Sequence, residues 1–529
     1  MCTKNIIIIL LYVVLNSKKK ADIIKSSNCQ YGTHYNSRLA KREKGGYKMS
    51  QEKKQSTKKK SGLSKALRTF YGVGDCGFSL MSNVETYYFM GFLTSNFAPG
   101  IAGLISTIAS IIDACLSWVH GAILNSIKPK KWGRYRSWLI LLPWVVPFIF
   151  AFQFLKIGDG VLSMVVIIAG FVISHFVWNF PWVANVSMIA VAGKTADDRA
   201  QLAATRSAYG NLSKVIFGWI GPPLAAVFAN LLGEQNQYAA VAFSLACVMA
   251  VLYFVHFKLF DGYEVVEADV AATKKATADK TSGKDLIRAL FQNPPLMILM
   301  LSDFAKWMFN FVVNGFAIYY FTLVAAPVVA GDGWFAKFAT LATFIVITNI
   351  CGVLGSYIAM FIAKKISTRS TTILFFLIMI GSLVLAYLMY ANVFLVMILL
   401  SVAMFGYGVV HTCIPALYAD TIIYSEWKTK KNATGWISGL QQLPLKVGVV
   451  ARGVVISACL AVANFDTSIN IREVDPNFIA STELQSGIAL GFMLIPAIAL
   501  GCSALLLFFG FKITKEKVEQ YQAEIAARK

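Results

Sequence analysis

Charge is scarce in this sequence. Only 14% of its 529 residues are Asp, Glu, Lys or Arg, where a water-soluble domain carries roughly 25%. A chain so poor in charge, and 57% hydrophobic, excludes a soluble enzyme or binding domain and sets the class as a membrane protein. Histidine is scarce as well, with 5 in all. No His/Cys/Asp metal cluster and no nucleophile–base set stands out, so the chain reads as a non-enzyme without a cofactor. The 9 cysteines show neither metal-ligand spacing nor pairing in outside loops. Cys115, Cys247, Cys351, Cys413, Cys459 and Cys502 lie inside apolar segments and read as small core residues, with no disulfide framework.

What the chain does carry is a formal net charge of +22. In a soluble protein that would point to nucleic acid. Here the basic residues sit in short runs between apolar spans, which is a topology signal and excludes a nucleic-acid partner. The first 48 residues stand apart. The apolar run from Cys2 to Val14 is too short to span a bilayer and lacks a signal-peptide cleavage site. Lys44-Gly45-Gly46, back-translated, reads as a purine run ending in GGAGG, a ribosome-binding sequence placed just before Met49. The expectation is a start at Met49, with residues 1–48 a translated leader; the alternative is a basic disordered tail.

Long apolar segments recur twelve times, near 70–95, 100–127, 137–156, 161–192, 205–232, 237–260, 294–325, 335–364, 371–391, 394–422, 433–463 and 484–513. Each is long enough to cross about 30 Å of hydrocarbon as a helix, and helices are the default there because the backbone must satisfy its own hydrogen bonds. Basic residues cluster in alternate loops: 128–136, 194–206, 258–288, 364–369, 428–431 and from 512 onward. The loops between are nearly free of them, with Lys156 and Arg472 the exceptions. This places both termini and the 261–290 linker in the cytoplasm. The expected organisation is a basic N-terminus over 49–66, a six-helix bundle over 67–260, the linker, a second bundle over 291–513 and a tail over 514–529. Two six-helix halves with a solute between them is the major facilitator architecture, an all-α membrane fold.

Polar residues at membrane depth cost a few kcal/mol, so they face a cavity or a partner. In the second span Ser106, Ser110, Asp113, Ser117 and His120 recur every three or four residues, on one helical face. The first span holds Asp75, Ser79, Ser82, Asn83, Glu85 and Thr86; Asp75 lies near the cytoplasmic end, and Glu85 is either a ligand or proton site or a helix-pairing residue. The fourth span holds His175, Asn179, Pro181, Trp182 and Asn185, and the fifth Arg206, Asn211 and Lys214. The seventh holds Asp303, Lys306, Asn310 and Asn314, where Asp303 and Lys306 are expected to neutralise each other. The eleventh holds Gln441, Gln442, Lys446 and Arg452. A buried Lys needs a carboxylate or a lowered pKa, and Asp113 is the candidate partner for Lys446.

Several stretches resemble the glycoside–pentoside–hexuronide:cation symporter family, to which the melibiose carrier belongs. They are Tyr71-Gly72-Val73-Gly74-Asp75, Asp113-Ala114 with Gly121, the Lys131–Trp138 loop KWGRYRSW, the Arg199–Arg206 segment RAQLAATR, Tyr418-Ala419-Asp420, Ser425–Thr429 SEWKT, Gly435 and Leu445–Gly448. The resemblance implies a secondary carrier with Asp113 and Lys446 at the cation site and Asn179 and Arg206 at the solute. Beside these, the polar residues at membrane depth make Ser117 and Glu85 candidates for cation coupling and Ser79, Asn83, Trp182, Gln441, Gln442, Asn310 and Asn314 candidates for the solute. Asp75, Arg134, Arg136, Arg199, Asp420 and Glu426 are expected to serve structure or gating, and the carrier is expected to be a monomer. The departures are informative. Ser117 stands where the family has a second carboxylate, Ser79 where it has an Asp, and Asn179 where the melibiose carrier has an acid. Sodium wants several hard oxygens, so a lone Asp beside a Lys suits a proton better, or no ion at all.

Three functions follow as expectations. The first is a proton- or sodium-driven carrier of a glycoside, hexuronide or related solute in the bacterial inner membrane, among its lipids. The second keeps the fold but carries a steroid-like or aromatic conjugate as uniporter or exporter, because Arg206, Lys214, Lys446 and many aromatics would surround the cavity. The third is a transporter-like sensor.

Overall fold

The computed structural model describes residues 62–126, 132–158, 160–193, 196–264, 290–329, 335–430, 437, 440–469, 471 and 478–527, all within one compact unit, Lys59–Lys529. The expected leader, most of the linker, Lys131, Gly435 and Arg472 lie outside the described residues, as do the side chains of Ser117 and Arg199. Every described element is helical: α1 Lys65–Phe70, α2 Val73–Thr94, α3 Pro99–Ser126, α4 Trp138–Leu141, α5 Val146–Phe152, α6 Gly160–Ala192, α7 Ala196–Leu232, α8 Gln237–Leu259, α9 Pro294–Tyr319, α10 Ala326–Val329, α11 Leu341–Ile366, α12 Thr368–Leu388, α13 Val393–Thr429, α14 Gln442–Val462, α15 Thr482–Ala489, α16 Ile495–Phe509 and α17 Lys515–Ala527. Single π-helical turns extend α9 (Tyr320–Val324) and join α15 to α16 (Leu490–Leu494).

Ten of these helical stretches are long and apolar enough to cross a membrane. The first and third expected spans are the two outside that set. Val73–Thr94 is one unbroken helix of 22 residues, but it carries Asp75, Asn83 and Glu85, all buried. The segment over 137–156 is broken into α4 and α5, with Pro143 between them and Pro147 at the start of the second piece. Proline removes a backbone donor and clashes with the preceding turn, so a continuous helix cannot form there.

Helix starts follow from side-chain caps that satisfy otherwise orphaned amides. Asn293 accepts from the Leu296 amide, Thr340 from Thr343, Asn392 from Leu395 and Ser481 from Leu484. Packing between helices uses small residues that let backbones approach, as expected where lipid offers no hydrophobic drive for helix association. Gly453 on α14 sits against Ser106 on α3, and Gly448 on α14 against Trp307 on α9. Gly408 on α13 rests on the Gly352 carbonyl of α11, and Gly355 on the Phe405 carbonyl.

That last seam has no room for a side chain. Gly408→Val is expected to give no monodisperse peak by size exclusion, since overpacking costs about 1–3 kcal/mol even where side chains can yield and here the obstacle is backbone. Gly501→Val, at a position with open space around it, should elute normally. Equal behaviour of the two variants would contradict the packing.

Several contacts between helices before residue 264 and helices after residue 290 lie toward one end. Thr94 Oγ1 and Tyr319 OH lie 2.7 Å apart, and Asn349 Nδ2 donates to Tyr87 OH at 3.1 Å. Gly103 of α3 faces Ser457 of α14. The basic loop after α3 is fixed differently. Gly133, at φ +114°, a value open to glycine, turns three successive amides toward one carboxylate. The Arg134 and Tyr135 amides donate to Glu264 Oε1 at 2.7 and 3.0 Å and the Arg136 amide to Oε2 at 2.9 Å. Arg136 also pairs with Asp261 at 2.9 Å and donates from Nε to the Phe257 carbonyl. Loop and helix end are thereby tied together.

Candidate functional site

Four helices bring five ionisable side chains into one buried chain. Asp113 of α3 pairs with Lys446 of α14. His175 of α6 lies between two carboxylates, with Nδ1 3.1 Å from Asp113 Oδ2 and Nε2 2.7 Å from Glu85 Oε2 of α2. Glu85 Oε1 then lies 3.5 Å from Arg452 of α14, which also donates to the Glu85 carbonyl at 3.1 Å. Asp113, Glu85, His175 and Arg452 are all buried. Phe171 stacks on the imidazole at a centroid distance of 3.9 Å, and Trp178 packs beside it at 4.8 Å. Lys446 lies over Trp178 at 5.8 Å.

The proton count of this chain is constrained. Two carboxylates balance Lys446 and Arg452 if the imidazole is neutral. Nε2 of the imidazole is hydrogen-bonded to Glu85, while Nδ1 lies 3.1 Å from Asp113 without hydrogen-bond geometry.

A second cluster lies at the start of α2. Arg206 Nε is 2.5 Å from Asp75 Oδ1, Asn185 donates to Asp75 Oδ2 at 2.7 Å, and Tyr71 donates to the Asn185 carbonyl at 2.7 Å. The Arg206 guanidinium stands over Trp182 at 5.4 Å and stays 25% exposed, so one flank remains open to a ligand. A third cluster joins α9 and α13. Lys306 pairs with Asp303 at 2.6 Å, Tyr418 donates to Asp303 at 3.2 Å, and Lys306 approaches His411 Nδ1 at 3.4 Å. The expected mutual neutralisation of Asp303 and Lys306 is the geometry seen.

The remaining expected residues are distributed as follows. Ser79 faces Gly210 of α7. Asn83 is buried, and its Nδ2 makes no hydrogen bond. Asn179 Nδ2 turns back to the His175 carbonyl one turn earlier. Asn314 donates to Asn310 on the same helix at 3.3 Å. Gln441 is half-buried and Gln442 exposed. Asp420 is half-buried in the last turns of α13. Beside Glu426, Trp427 donates to Glu524 of α17 at 2.6 Å. The structure thus joins Asp113, Glu85 and Lys446 and leaves Arg206 in a separate group with Asp75. His175 and Arg452 were not among the sequence-assigned coupling residues. Their signal was available: an Arg inside an apolar span needs a partner, and His175 precedes Asn179 by one helical turn.

Residues 70–515 match the family described as MFS/sugar transport protein. The chain is 25% identical to the isoprimeverose transporter of Lactiplantibacillus pentosus, over 85% of this chain and 88% of that one. It is 23% identical to a putative sulfoquinovose importer of Salmonella typhimurium, over 88% and 94% of the two chains. Among solved structures, the nucleoside transporter NupG superposes with a TM-score of 0.57 at 14% identity, covering 84% of this chain and 99% of the other.

Proposed function

This chain belongs to the MFS/sugar transport protein family, and from that premise we propose that it is a proton-coupled symporter of a glycoside, hexuronide or related small solute. It is a multi-pass membrane solute transporter and not an enzyme. The proposal adds the ion, the solute class, twelve spans with both termini and the 261–290 linker cytoplasmic, a bacterial inner membrane, and a monomer.

The observation that supports the ion is the imidazole of His175 held between Asp113 and Glu85. The chain of charges also supplies a mechanism. Lys446 and Arg452 belong to α14, while Asp113, His175 and Glu85 belong to α2, α3 and α6, so every ion pair across the seam reads the protonation of the carboxylates. A proton arriving at Asp113 removes the charge that holds Lys446. The tie between α3 and α14 then weakens, and the two helix sets separate on that side. Loss of the proton restores the tie. The cross-contacts Thr94–Tyr319, Tyr87–Asn349 and Gly103–Ser457 lie at the end that loop charge assigns to the outside. We read this state as closed outside and open to the cytoplasm. Arg206, with its open flank over Trp182, and Asn83, with its free amide, face the solute from the N-terminal half.

A second reading, an amphipathic anion such as an aromatic conjugate, is favoured by the aromatic rings around these cations: Trp178 by Lys446, Trp182 by Arg206 and Trp307 by Lys306.

Uptake into proteoliposomes tests the coupling. Isoprimeverose, sulfoquinovose and a glucuronide should be offered under an imposed pH gradient, a sodium gradient and neither. Accumulation is expected under the pH gradient alone. Equal accumulation in all three conditions, or accumulation with sodium only, refutes proton symport.

A further inference from the structure

Lys214 plays no part in the ion pairs described above. It lies on α7 between Gly210, which faces Ser79 of α2, and Gly218, which packs on Ile345 and Val346 of α11. Positions 210, 214 and 218 are successive helical turns on one face, so Lys214 points along the seam where the two helix sets meet. The residue is half-buried, as a cavity-lining side chain is. It has no hydrogen-bond or ion-pair partner among the described residues. Its electrostatic neighbours are Lys306 and His411. His411 too is half-buried.

The donors there outnumber the acceptors. Lys306 gives one hydrogen to Asp303 and one toward His411 Nδ1, and it stands over the Trp307 ring at 4.3 Å. With Nδ1 as acceptor, the His411 proton resides on Nε2 and is available to a ligand. Asp303 faces Lys306 and Tyr418. The group thus holds two ammonium groups and one carboxylate, inside a membrane-spanning region where an unpaired charge is costly. A negative group from outside the protein would supply the missing countercharge.

We propose that Lys214, Lys306 and His411 form a subsite for an anionic substituent of the solute, a carboxylate or sulfonate, carried on a sugar whose neutral part reaches Arg206. The inference rests on the solute-carrier reading. Because Lys214 lies in the N-terminal half of the chain and the other two in the C-terminal half, an anion bound there draws α7 toward α9 and α13. It thereby favours the occluded state needed for transport.

The test is binding of methyl β-D-glucuronide and methyl β-D-glucoside to the purified full-length carrier. The wild type is expected to hold the glucuronide about 10-fold more tightly or better, the worth of one charged hydrogen bond or more. Lys214→Gln should bring glucuronide affinity down to that of the glucoside and leave glucoside affinity unchanged. Lys214→Arg should keep the preference. Such a change in preference is not what a merely structural lysine would produce. A preference that survives Lys214→Gln, or a wild type that favours the glucoside, overturns the subsite and leaves the carrier reading intact. A wild type that binds neither sugar overturns both.

Discussion

Asp113→Asn is expected to cut pH-gradient-driven accumulation by about 100-fold or more, the equivalent of the roughly 3 kcal/mol attached to breaking a buried charge pair. Solute exchange down equal concentrations should persist. Asn keeps the volume of the carboxylate and one acceptor oxygen but cannot bind or release a proton. It removes the negative charge that both Lys446 and His175 face. A carrier whose α3–α14 tie no longer depends on protonation can still cycle loaded with solute in both directions. It cannot link that cycle to the proton gradient. Gradient-driven accumulation at the wild-type rate removes Asp113 from the coupling role. Loss of both accumulation and exchange, with normal elution, shows that Asp113 is needed for the conformational cycle itself.

The second large effect concerns stability. Arg452 is 1% exposed, and its Glu85 partner is buried beside it. Arg452→Leu strands Glu85 as a buried carboxylate, with His175 its remaining side-chain partner. Breaking one side of such a pair costs about 3–5 kcal/mol, while replacing both charges by neutral groups is often close to neutral. The expected result is a fall in Tm of about 5 °C or more for the single variant in detergent. The Glu85→Gln/Arg452→Leu double variant should recover most of it. A double variant no more stable than the single one shows that Arg452 acts through packing rather than through Glu85.

Much of the fold was readable from the chain because a bilayer permits few solutions. Ten helices able to cross a membrane coincide with apolar segments marked by composition alone. The two others are instructive. Asp75 and Glu85 lower the apolar character of α2, and Pro143 and Pro147 break the third segment into α4 and α5. Apolar length marked these as spans, but it does not register a helix break whose flanks stay apolar. At the site, the cost of burying a lysine led from Lys446 to Asp113, and the structure joins them. The same reasoning applied to Arg452 gives no partner, because several carboxylates were open to it. Arg206 shows what the family resemblance left out: it assigned the residue to the solute and named no protein partner, and the structure places it 2.5 Å from Asp75.

The sequence by itself determined that this is a polytopic helical membrane protein and which residues are too polar to face lipid. Both follow from solvation, which acts on each residue according to its own chemistry and needs no knowledge of neighbours. Tertiary structure decided which of those residues meet. His175 lies between Asp113 and Glu85 only because α6 lies against α2 and α3, and Tyr418 reaches Asp303 only because α13 lies against α9. Pairing depends on distances between helices far apart in the chain, and the identity of each residue does not encode them.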